Sequence, residues 1–182
     1  MITMTLNCRG LASFPKKLAI RRLIVEYSVD VLFLQETMCG GDLLVSEMEF
    51  MNRGWKFLSV DSKGKSGGLL LGWKMRFFHL INAWAFGSGL CATLHSIELN
   101  LTIVCLNLYG PYVDRELFWI NLFKMEGLLS SKLILGGDLK FSIGLSEVWG
   151  EKARVDNLSD FFLRQMESAS LVDLAPGMLL PT

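Results

Sequence analysis

Between Trp55 and Tyr109 the chain reads as five strand-like runs in succession: WKFLSV, GLLLGW, RFFHLINAW, LCATLHSIEL and LTIVCLNLY. β-Branched and aromatic residues are dense in them, and Gly, Asn, Ser or Lys separates most of them. SKGKSGG and ELNLT read as hairpin turns. Helical periodicity stands on both sides of this block. From Pro15 to Ser28, Leu18, Leu23, Ile24 and Tyr27 recur at helical spacing. A second helix fits Leu43 to Asn52. A third, from Asp114 to Leu129, puts Leu117, Ile120, Phe123 and Leu128 on one face. Asn157-Leu158-Ser159 offers caps for a last helix through Phe161, Phe162, Met166 and Ala169. MTLNC and KLILGG add strands, and VLFLQE is an unbroken apolar run suited to a strand buried on both faces. Consecutive strands flanked by helices, without strict βα alternation, predict an α+β or mixed-sheet layered domain rather than a doubly wound one.

The chain has 182 residues, 51% hydrophobic and 20% charged, enough for one domain with a large core. Its formal net charge is zero, so a strongly basic nucleic-acid footprint is absent at whole-chain level. Basic clusters at Lys16, Lys17, Arg21, Arg22 and at Lys63, Lys65 read as a solvated helix face and a hairpin tip. Cys8, Cys39, Cys91 and Cys105 show no CxxC spacing, and three of them sit in apolar runs. They read as small buried hydrophobes of a reducing, intracellular compartment, not a zinc site or disulfide frame. A nuclear location is compatible, but no targeting signal is read, nor a signal peptide. The most membrane-like window, Phe77 to Leu94, contains His79, Asn82, Gly87, Ser88 and Gly89. Two strands joined by an FGSG turn account for it better than a spanning helix of about 20 apolar residues. No internal repeat or low-complexity tract is present.

Several apolar strands end on polar residues: Asn7, Glu36, Asn107 with Tyr109, and Asp138. Singly, such residues are turn formers. Together they suggest carboxylates converging in one cleft, where a divalent cation offsets their repulsion. Glu and Asp oxygens with an Asn carbonyl suit Mg²⁺, which keeps some waters and meets phosphate. That arrangement fits phosphodiester hydrolysis: a metal as Lewis acid, a carboxylate orienting water, an amide or cation stabilising the phosphorane. GKSGG fails the P-loop spacing, and the glycines of Ser66 to Leu69 read as allowing close packing of strands.

LNCRGL, LFLQET, SGGLLLGWK, NLYGPY, LILGGDLK and SLVDL, in that order, resemble the endonuclease/exonuclease/phosphatase superfamily. More narrowly, they are similar to the endonuclease domain of plant non-LTR (LINE-type) retrotransposon polyproteins. The resemblance implies a four-layered α/β sandwich, two mixed sheets between helices, over residues 1–182 as a single domain that lacks the family's last strands. It implies that Glu36 is the principal metal ligand, that Asn7 supports the metal and the catalytic aspartate, and that Tyr109 contacts the scissile phosphate. Asp138 would orient or deprotonate the attacking water. Mg²⁺, with Mn²⁺ as a substitute, would be the cofactor, and the DNA backbone the partner of a monomer without membrane or nucleotide cofactor. Two departures stand out. Lys140 occupies the place of the family's Asn in Gly-Asp-Leu-Asn, a phosphate donor whose loss costs about 10²–10³ in rate by analogy with an oxyanion donor. The Ser-Asp-His motif is absent: His79 and His95 do not follow an Asp and read as structural. The resemblance therefore implies an impaired or inactive Mg²⁺-dependent DNA endonuclease. The alternative is a non-catalytic retroelement remnant that binds nucleic acid weakly through Lys63, Lys65, Arg21 and Lys140.

Overall fold

The computed structural model describes residues 1–63, 66–125, 128–129, 132–148 and 154–174. In chain order they form β1 (Thr3–Asn7), α1 (Phe14–Glu26), β2 (Val31–Gln35), α2 (Gly41–Met51), β3 (Trp55–Lys63), β4 (Ser66–Lys74), β5 (Phe78–Phe86), β6 (Gly89–Ser96), β7 (Leu101–Tyr109), α3 (Arg115–Phe123), β8 (Lys132–Asp138) and α4 (Ser159–Ser168). A single 3₁₀ turn covers Leu145–Glu147. The chain divides into two compact units, Met1–Gly110 with Ser130–Leu139, and Pro111–Leu129 with Lys140–Thr182.

The larger unit holds two four-stranded mixed sheets, ordered β1-β2-β4-β3 and β5-β6-β7-β8. The five-strand block of the sequence is shared between them: β3 and β4 form an antiparallel hairpin, and β5, β6 and β7 a meander. One parallel pair is added to each, β1 on β2 and β8 on β7. Phe33, Leu69 and Leu71 of the first sheet pack against Leu90, Ala92 and Cys105 of the second, which sets the sheets face to face. On the other side of the first sheet, Ile20, Ile24, Leu44 and Met48 of α1 and α2 cover Leu32, Leu34 and Leu70. β2 is thus enclosed on both faces and all five of its residues are buried, as the apolar run VLFLQ requires. The α+β class and the packed mixed sheets are those expected. The window Phe77 to Leu94 holds β5 and the start of β6, joined by a turn at Gly87 and Ser88, and among the described residues no helix is long and apolar enough to cross a membrane.

Two helical faces differ from expectation. α1 buries Lys17, Ile20 and Ile24, while Tyr27 lies beyond it and is exposed. Lys17 leaves the predicted solvated face because its amine finds acceptors within the fold, Glu47 at 2.6 Å and the Ala12 carbonyl at 3.2 Å. Its alkyl stem can then be buried at little cost. α3 ends at Phe123, and beyond it the Met125 N–H donates to the Leu122 carbonyl and the Leu128 N–H to the Met125 carbonyl. Its buried residues are Trp119 and Leu122, whereas Leu117 is exposed. A tryptophan buries more apolar area than a leucine and takes the inward position. In the smaller unit, Trp119 sits among Phe118, Phe123, Phe141 and Phe162, with ring centroids 5.1–5.9 Å away. Its indole N–H has no hydrogen-bond partner among the described residues. α4 begins at Ser159, and the expected cap makes no side-chain hydrogen bond.

Candidate active site

The two parallel strand pairs end on the polar residues singled out in the sequence. Asn7, last in β1, is register partner of Gln35, last in β2, so Glu36 stands one step beyond that pair. Tyr109, last in β7, is partner of Asp138, last in β8. Two side-chain hydrogen bonds then cross from sheet to sheet. The Asn7 amide Nδ2 donates to Asp138 Oδ2 at 2.6 Å, and the Tyr109 hydroxyl donates to Glu36 Oε1 at 2.8 Å. Four residues separated by up to 131 positions in sequence are thereby gathered.

Local backbone geometry explains how Glu36 reaches this place. β2 stops because Glu36 is left-handed, with φ 51°. The segment after it is held from two directions: Thr37 and Met38 N–H groups donate to the Gly68 and Gly67 carbonyls, and Gly10 and Leu11 N–H groups donate to the carbonyls of Glu36 and Thr37. Gly68 has φ +86°, and a Cβ there would overlap the Thr37 hydroxyl, so the glycine admits the turn that carries Glu36. The glycines of SGG thus serve close backbone approach, as expected. Gly137, at φ +141°, does the same for β8: a Cβ would meet the Leu108 carbonyl, beside the Tyr109–Asp138 pair. A strained non-glycine residue fixed by surrounding bonds is a common property of working sites.

Beneath the crossing bonds lies a polar tie that the sequence did not disclose. Gln35 and Asn107 are fully buried. Gln35 Nε2 donates to Asn107 Oδ1 at 2.6 Å and to Thr5 Oγ1 at 3.2 Å, while Asn107 Nδ2 donates to the Leu34 and Leu70 carbonyls at 3.0 and 2.9 Å. On β2 Gln35 stands one residue before Glu36, and on β7 Asn107 stands two before Tyr109; together they fasten the strands that deliver Glu36 and Tyr109. The available signal was polarity inside two apolar runs; strand-end Asn107 was noticed, but Gln35 read as part of VLFLQ.

The donor chemistry favours a hard cation. Glu36 and Asp138 supply carboxylate oxygens, and no thiolate or imidazole accompanies them in these hydrogen bonds. Among the described residues there is no group of three or more His, Cys, Asp or Glu that could hold a metal by itself. Few protein oxygens suit Mg²⁺, which retains waters and shares ligation with phosphate, and do not suit zinc. Asn7 faces Asp138 with its nitrogen, and its oxygen accepts the Arg9 N–H at 3.2 Å. Burial pushes the adjacent Cys8 thiol up to about 11, so it stays protonated at neutral pH and is no nucleophile.

Lys140 belongs to the smaller unit. Its backbone is left-handed at φ 59°, its carbonyl accepts from Arg115, and its amine lies 4.7 Å from the centre of the Tyr112 ring. Arg115 also holds Asp156 through two hydrogen bonds of 2.6 and 2.8 Å, which keep that carboxyl below the usual carboxylate range. The histidines are elsewhere. His79 pairs with His95, and His95 with Thr102, at the opposite end of β7 from Tyr109, roughly 23 Å away by strand rise. Lys65 and the side chain of Lys63 lie outside the described residues.

Residues 4–139, which include Asn7, Glu36, Tyr109 and Asp138, match the family described as Endonuclease/Exonuclease/phosphatase. The chain belongs to this family. Solved structures with the same fold include an AP endonuclease from Archaeoglobus fulgidus, at 15% identity and TM-score 0.68, covering 92% of this chain and 71% of that one. The AP endonuclease LMAP from Leishmania major aligns at 18% identity and TM-score 0.68, over 92% and 66% of the two chains. A 3′ phosphatase from Neisseria bound to product DNA hairpin aligns at 16% and 0.69, over 92% and 70%. The chain spans from 62% to 71% of the length of the first three solved structures it matches. A comparison with curated protein sequences gives no match.

Proposed function

We propose that this member of the endonuclease/exonuclease/phosphatase family retains the core of a divalent-cation-dependent endonuclease that hydrolyses DNA phosphodiesters, with its rate reduced. The observation that carries this reading is the pair of sheet-to-sheet bonds, Asn7 to Asp138 and Tyr109 to Glu36. Glu36, supported by Asn7, would hold Mg²⁺ or Mn²⁺; the bound ion supplies Lewis-acid stabilisation of charge on the phosphate. The Asn7 amide fixes the direction of Asp138 Oδ2, and Asp138 takes the proton of the attacking water as the water oxygen bonds to phosphorus and the P–O ester bond breaks. Tyr109 orients Glu36 and presents its phenol toward the phosphate. Lys140, in place of a neutral phosphate donor, accounts for the reduced rate, about 10²–10³. The six ordered motifs support descent from a LINE-type element acting as a monomer on DNA, and the unpaired thiols support a reducing compartment.

Lys140 itself favours a second reading, a module that binds nucleic acid without cutting it, since an ammonium in place of a neutral amide adds phosphate affinity as a point charge. Supercoiled plasmid with Mg²⁺ separates the two. Nicking that disappears in Asp138→Ala supports hydrolysis, and nicking of equal rate in that variant rejects it. Binding that weakens steeply with salt, without nicking, selects the second reading.

A further inference from the structure

Phe14, Leu18, Arg21 and Val25 recur at intervals of four, three and four residues, a single stripe along the whole of α1. With Phe50 and Arg53 at the end of α2, this stripe lines a groove of about 760 Å³ in the larger unit. Three of its apolar side chains are open to water: Phe50 is 80% exposed, Val25 71% and Phe14 65%. Isolated exposed apolar residues need no explanation, but a continuous set along one groove marks an interaction surface.

Charge selects the occupant. Arg21, Arg53 and Lys74 line the groove, and no Asp or Glu does. Lys74 is neutralised by Asp30 at 3.0 Å, whereas Arg21 and Arg53 make no ion pair or hydrogen bond among the described residues. We propose that the groove between α1 and α2 docks an amphipathic helical segment of a partner protein, apolar on one stripe and acidic on its flanks. α1 has 13 residues and runs for about 20 Å, which matches roughly 14 residues of a docked helix. Such a helix lays anchors at helical spacing into an apolar slot, and the two free guanidinium groups meet its flanking carboxylates. The concave form also suits a helix better than a flat lipid surface.

Fluorescence anisotropy with two labelled helical peptides of about 16 residues tests this, one with leucines at helical spacing flanked by Glu and its twin flanked by Lys. The acidic peptide binds at least about tenfold tighter than its twin, and Phe50→Ser or the pair Arg21→Glu with Arg53→Glu removes at least about tenfold of that affinity. These side chains are exposed, so circular dichroism of the variants matches the parent. Equal binding of the two peptides, or acidic-peptide binding indifferent to the variants, overturns the proposal. So does tighter binding of a single-stranded oligonucleotide or of phosphatidylserine vesicles through the same arginines, or self-association lost in Phe50→Ser without peptide binding.

Discussion

Asn107→Leu removes the polar tie between the sheets while nearly keeping side-chain shape. Asn107 is 0% exposed and makes three hydrogen bonds, to Gln35 and to the Leu34 and Leu70 carbonyls. At about 1 kcal/mol net each, their loss costs about 3 kcal/mol. One Gln35 N–H, buried and without its acceptor, adds about 2 kcal/mol; burying leucine carbon in place of an amide returns about 2 kcal/mol. The net destabilisation is about 3 kcal/mol, a large part of the 5–15 kcal/mol typical of a domain of about this size. Urea unfolding followed by tryptophan fluorescence measures it, with the slope m unchanged. Adding Gln35→Met removes the orphaned donor, so the double variant is more stable than the sum of the singles by about 1–2 kcal/mol. A single cost below about 1 kcal/mol, together with an additive double variant, refutes the idea that this amide pair fastens β2 to β7.

Lys140→Asn replaces a residue strained at φ 59° by one several-fold more at ease there, a gain of roughly 0.5–1 kcal/mol, and gives up the amine over the Tyr112 ring, a loss of roughly 0.5–1 kcal/mol. Plasmid nicking rises about 10²-fold in this variant; an unchanged rate in the folded variant rejects Lys140 as a cause of impairment. Asp156 is ionised below the usual carboxylate range because Arg115 hydrogen-bonds its carboxylate. Its folded pKa is lower than its unfolded one, so its stabilisation is complete above about pH 4 and fades as pH falls through the folded value. Circular dichroism across acid pH shows an acid transition that loses part of its steepness in Asp156→Asn, and identical transitions contradict the assignment.

The fold was legible wherever hydrophobic pattern alone decides structure. Five strand runs, their hairpin turns and the doubly buried VLFLQ follow from periodicity and turn residues. Helix faces were less legible, because tertiary partners override local pattern: Glu47 draws Lys17 inward, and aromatic packing turns Trp119 rather than Leu117 to the core. The strand-end residues were visible, and the ordered motifs singled out Asn7, Glu36, Tyr109 and Asp138. Their pairing was not visible, since it depends on which strands become neighbours across two sheets, at separations of 73 and 131 residues. Gln35 stayed hidden because one polar residue at the end of an apolar run looks like a strand terminus until its buried partner is known.

Divalent-cation binding by the protein without substrate shows whether Glu36 and Asn7 hold an ion at the crossing of the two sheets. Water-proton relaxation during a Mn²⁺ titration reports a bound ion whether or not DNA is cut. One site is expected, weakened in Asn7→Ala and lost in Glu36→Gln, a substitution that keeps an acceptor for the Tyr109 hydroxyl. Mn²⁺ bound with the same affinity in Glu36→Gln as in the parent would contradict this expectation.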